Sequence, residues 1–67
     1  MILRPYHEII GVVRDIIVDN DTVKIIFAME REIELPKIAA PKEITQELRG
    51  QRIGIINIDE KYRFRKI

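Results

Sequence analysis

Hydrophobic and polar positions alternate with a period of two along much of this chain, the spacing of half-buried β-strands. The first such stretch runs over residues 7–18 and contains Gly11, which marks a bulge or bend. Asp19-Asn20-Asp21 then supplies turn chemistry, because Asn and Asp tolerate left-handed backbone and bond their own main chain. A second strand is predicted over 22–29, with Val23, Ile25 and Phe27 on one face and Lys24, Ile26 and Ala28 on the other. A tight turn near Glu30 leads to a third strand over 31–36, where Ile33 and Leu35 alternate with Glu32 and Glu34. Pro36 ends it. Residues 41–49 predict a short helix: Pro41 suits the first position, Glu43 suits the dipole of the first turn, and Ile44 and Leu48 share a face. Gly50 follows as its C-terminal cap. A fourth strand over 51–58, a turn at Asp59-Glu60 and a fifth strand over 61–67 complete the order β-β-β-α-β-β.

Five apolar doublets break the simple alternation: Ile9-Ile10, Val12-Val13, Ile16-Ile17, Ile25-Ile26 and Ile55-Ile56. Neighbouring residues on a strand point to opposite faces, so one member of each doublet enters a small core and the other points outward. A short helix covers little of that outer surface. Exposed apolar area is therefore expected, with Ile26 and either Ile55 or Ile56 as candidate contacts for another chain. Burial of a central strand on both faces is the alternative.

Composition supports a mainly β protein. Fifteen of the 67 residues are Ile, against three Leu and four Val, and the stiff Ile side chain suits a pleated surface. Absent Ser and Cys, two Asn, two Gln and 34% charged residues resemble a heat-adapted composition. A chain of this length forms one small domain over residues 1–67. Such chains hide only about 60% of their unfolded surface and often need disulfides, metals or partners. No Cys is present, so disulfides and thiolate chemistry are excluded. Self-association is the remaining route to extra burial. No apolar run is long enough for a membrane helix, and MILRPYHEII lacks the features of a secretory signal, so a cytoplasmic protein without membrane contact is expected.

Three strands, a short helix and a final hairpin resemble the OB-fold, a five-stranded Greek-key barrel. The likeness is one of topology, carried by the long Gly-containing first strand and the helix between strands three and four. The second half, IELPKIAAPKEITQELRGQRIGIINIDEKYRFRKI, also resembles swapped-hairpin DNA-binding regulators of the AbrB type, although Ile38-Ala39-Ala40 lengthens the junction before the helix. Under the OB resemblance, strand three lies beside strand five, which sets Glu30, Glu32 and Glu34 opposite Lys61, Arg63 and Arg65. Nucleic-acid-binding members of that family use the outer face of strands two and three. Here that face would carry Lys24, Ile26, Ala28, Glu32 and Glu34, which suits a protein contact better than a phosphate chain.

Catalytic chemistry is thin. Only Thr22 and Thr45 carry aliphatic hydroxyls, and His7 is the sole imidazole, so no nucleophile-base pairing of the Ser-His-Asp or Cys-His kind exists. The three glycines form no phosphate-binding pattern, and the glutamate row on strand three reads as a solvated face rather than a cation site. No enzyme activity, cofactor or metal is expected. Net charge is +1, yet residues 1–48 carry six Lys or Arg against nine acids, whereas residues 49–67 carry six against two. The basic end offers Arg49, Arg52, Arg63, Arg65 and Lys66 as candidate nucleic-acid contacts. Tyr62 and Phe64 fall on the opposite face from Arg63 and Arg65, so bases would find no stacking surface there. Two functions stay open: a self-associating or protein-binding barrel, and a nucleic-acid binder.

Overall fold

A computed structural model describes residues 3–67. The chain is mainly β. Its five strands are β1 (Glu8–Val18), β2 (Thr22–Phe27), β3 (Glu32–Pro36), β4 (Arg52–Ile58) and β5 (Lys61–Lys66). All pair antiparallel, in the order β3-β2-β1-β4-β5. β1 holds the arrangement together. Its first half, Glu8 to Val12, pairs with β4, and its second half, Val13 to Val18, pairs with β2. Two half-sheets, β1-β4-β5 and β1-β2-β3, thus share one long strand and wrap a common core.

The inward set on β1 changes parity along the strand. Ile9 and Val13 are buried before the register change and Ile16 after it. The register against β2 slips between Val13 and Asp15, which inserts Arg14 as an extra residue. A bulge of this kind shifts every later side chain to the other parity. It is why the outward members of the β1 doublets are Ile10, Val12 and Ile17. Gly11 lies three residues before Arg14 and serves a different purpose. A Cβ at Gly11 would sit 3.0 Å from Cδ1 of Phe27, so the glycine makes room for that fully buried ring.

Inward residues of the other strands close the core: Val23, Ile25 and Phe27 from β2, Ile33 and Leu35 from β3, and Ile53 and Ile55 from β4. Tyr62 and Phe64 of β5 pack half-buried against it. The expected helix is replaced by turns and a single 3-10 turn, Gln46–Leu48. Thr45, in the middle of the expected helix, is extended at φ −134° and ψ 172° and caps the 3-10 turn through its hydroxyl, which accepts from the Glu47 amide. So short a helix would gain little in isolation. Burial nevertheless selects the same two residues, since Ile44 and Leu48 are anchored in the core. Gln46 ties this loop to β1 by donating its side-chain amide to the carbonyl of Ile16. Gly50 has φ 82°, the left-handed conformation that leads the chain into β4.

Asn57 is the one buried polar residue among those described, on the inward face of β4. Its Nδ2 donates to the carbonyl of Leu3 at 2.8 Å, and its Oδ1 accepts from the amide of Glu60 at 2.8 Å. One side chain therefore fixes both the N-terminal segment and the β4–β5 turn. That turn holds Asp59 and Glu60 at φ 50° and 64°, a geometry usually given to Asn or Gly. Replacing Asn57 with Ala removes both bonds and strands buried partners. Asn57→Ala is expected to lower unfolding free energy by about 1–3 kcal/mol, measured by urea titration.

Candidate interaction surfaces

The two half-sheets turn their outer faces away from each other, because both turn their inner faces to the same core. On β1-β4-β5 the register sets three outward rows: Glu8, Ile56 and Arg63; Ile10, Gly54 and Arg65; and Val12 with Arg52. Lys61 and Ile58 pair at the β4–β5 turn. Gly54 leaves a dent in this face. A Cβ there would meet Glu8, Ile67 and Ile10 within 3.4 Å, so these three side chains close over it. Arg65 Nε lies 3.6 Å from Glu8 Oε2, an exposed ion pair of small energetic weight. The face therefore combines an apolar centre with Arg52, Lys61, Arg63 and Arg65, against the single carboxylate of Glu8.

The outer face of β1-β2-β3 has the opposite character. Its rows are Asp15, Ile26 and Glu32, then Ile17, Lys24 and Glu34. Lys24 Nζ stands 3.8 Å from Glu34 Oε1. Ile26 is half-buried between Asp15 and Glu32, which flank it on the neighbouring strands. The expected facing of Glu30, Glu32 and Glu34 with Lys61, Arg63 and Arg65 is not found. β3 and β5 are the two ends of the strand order and share no ladder. Glu30 lies outside β3, in a turn where Met29 and Glu30 both have positive φ, 67° and 61°. The basic strand is thus not neutralised by the glutamates, and the only carboxylate within ion-pair reach of its Arg65 is Glu8 among the described residues.

Between the half-sheets, Arg31 reaches across the opening left where β1 parts from β2. Its Nη2 donates to the carbonyl of Ile10 at 2.7 Å and so satisfies an edge that β2 does not reach. Arg31 and Arg52 flank a cleft of about 400 Å³ floored by Ile10, Gly11, Val12 and Ala28. Met29 stands at its rim, 90% exposed.

The candidate residues separate clearly. Ile55 is fully buried and is the inward member of its doublet, so it offers nothing to a partner; the outward position belongs to Ile56. Ile26 and Ile56 lie on opposite outer faces. Arg52, Arg63 and Arg65 share the basic face, whereas Arg49 lies in the turn before β4. Lys66 is set apart too, beside Glu43, Glu47 and Phe64. Arg31 comes from the acidic half of the chain, and nothing in the local sequence signals its capping role. Asn57 could have been noticed as a polar residue at the inward parity of Ile53 and Ile55. Among the described residues no helix is long and apolar enough to cross a membrane. No protein-family model matches the sequence, and neither curated proteins nor solved structures yield a match.

The two members of the β4 doublet should respond differently to charge. Ile55→Lys buries an ammonium in a closed core and is expected to cost about 4 kcal/mol or more, enough to unfold so small a domain. Ile56→Lys is expected to change stability by about 1 kcal/mol or less. Thermal melts followed by circular dichroism check both.

Proposed function

We propose that this protein is a non-enzymatic, OB-like β-barrel module that works by self-association. The single observation that carries the reading is the apolar surface left on the outer faces after the core is complete. Ile10, Val12 and Ile17 are 37%, 40% and 42% exposed on β1 alone. Each is the outward partner of a buried neighbour, so no repacking of one chain could hide both. The OB-like assignment is supported by the β3-β2-β1-β4-β5 neighbours and by a long, bulged β1 shared by both half-sheets, while the β3–β5 pairing of a closed OB barrel is not formed. Small domains without disulfides commonly complete their burial by assembling. Light scattering at micromolar protein is expected to give a mass above that of one chain. Ile56→Lys is expected to lower that mass while leaving the circular dichroism spectrum unchanged. A wild-type mass of one chain would reject the reading.

A second reading, nucleic-acid binding, is favoured by one specific observation. Arg52, Arg63 and Arg65 share an outer face with Lys61, and the β3 glutamates do not oppose them. Against it, Tyr62 and Phe64 face the core rather than that surface. Under this reading, fluorescence anisotropy with single-stranded and duplex oligonucleotides at low salt shows micromolar binding that weakens steeply as salt rises, and Arg63→Ala reduces it. An unchanged anisotropy would remove the reading.

A further inference from the structure

We infer that the assembly is head-to-tail: the basic outer face of β1-β4-β5 on one copy docks on the acidic outer face of β1-β2-β3 on the next. The inference rests on the self-association reading above and adds which surfaces meet. Charge complementarity carries it. One face presents Arg52, Lys61, Arg63 and Arg65 with Glu8, a net of three positive charges. The other presents Asp15, Glu32 and Glu34 with Lys24 and the exposed bulge residue Arg14 beside Asp15, a net of one negative charge.

Both faces carry apolar centres, Ile10 and Ile56 on the first and Ile17 and Ile26 on the second. Apolar area drives the contact, and the charges choose the partner face. Joining basic to basic, or acidic to acidic, would bring like charges together. A two-fold contact that uses the same face twice is therefore disfavoured, and unlike faces meet instead. Such a heterologous contact generates a ring when the rotation closes and a filament when it does not.

Size is consistent with this use of the surface. The described chain exposes 4851 Å². A standard interface takes about 800 Å² per partner, so one such footprint on each outer face would use about a third of the whole.

The test uses two charge reversals at exposed strand positions outside the core, Arg63→Glu on the basic face and Glu32→Lys on the acidic face. Each variant alone is expected to lose assembly by about tenfold or more in affinity, read by light scattering, with its circular dichroism spectrum kept. Each still owns one intact face. Mixed in equal amounts, they are therefore expected to associate again, through a one-to-one contact of the two intact faces. Wild-type assembly is expected to weaken as salt approaches about 0.5 M. An oligomeric wild type whose two variants stay monomeric when mixed would overturn the head-to-tail contact while leaving self-association standing. Undiminished assembly of either variant would overturn it as well. A monomeric wild type that binds oligonucleotide would overturn both readings. Should either variant fail to fold, Arg63→Gln and Glu32→Gln replace the pair, with partial loss expected alone and recovery on mixing.

Discussion

The structure depends on one strand serving two sheets. β1 pairs with β4 through its first half and with β2 through its second, and a one-residue slip near Arg14 separates the halves. Strand side chains alternate strictly, so the slip exchanges the inward and outward sets. Ile9, Val13 and Ile16 all reach the core only because the exchange occurs between the last two. Without it, Ile17 would point inward and Ile16 outward, and the β2 side of the core would lose its contact with β1. Gly11 cooperates by leaving space for Phe27, and Arg31 closes the edge exposed where the two pairings part.

That arrangement fixes the surface as well as the interior. Each half-sheet spends one face on a common core, so each has one face left over, and the two faces look away from each other. Arg52 of β4 and Lys61, Arg63 and Arg65 of β5 gather on one beside Glu8, and Asp15 of β1 with Glu32 and Glu34 of β3 gathers on the other beside Lys24 and Arg14. A chain with a net charge of +1 thereby presents a mainly basic side and a mildly acidic one. The apolar centres of both faces follow from the doublets. A chain of 67 residues has too little interior to take both members of each pair, and the outward members remain at the surface.

Much of the architecture was legible in the residue pattern. Alternation at Val23, Ile25 and Phe27, and again at Ile33 and Leu35, located β2 and β3 and their buried faces, because a period of two has a single structural solution. The turn at Asp19-Asn20-Asp21 and the anchors Ile44 and Leu48 were equally visible. The helix expected over 41–49 was not formed. Spacing of Ile44 and Leu48 suits one helical face, yet two buried side chains on an irregular loop satisfy the same pattern. The second strand was expected to run to Met29 with a turn near Glu30, but β2 ends at Phe27 and the turn takes in Ala28–Glu30, since left-handed backbone at Met29 and Glu30 goes against their residue preferences.

The sequence by itself determined the mainly β class, the number of strands and their succession along the chain, and the surplus of apolar side chains over interior volume. These depend on local periodicity and on chain length, and both are present in one dimension. Only the tertiary structure decided which member of each doublet points outward, that β3 and β5 stay unpaired, and that Arg52 shares a surface with Arg63 while Glu32 lies on the far side. Those outcomes depend on register, on one bulge and on the path of the sheet around its core, where residues far apart in the chain set each other's surroundings.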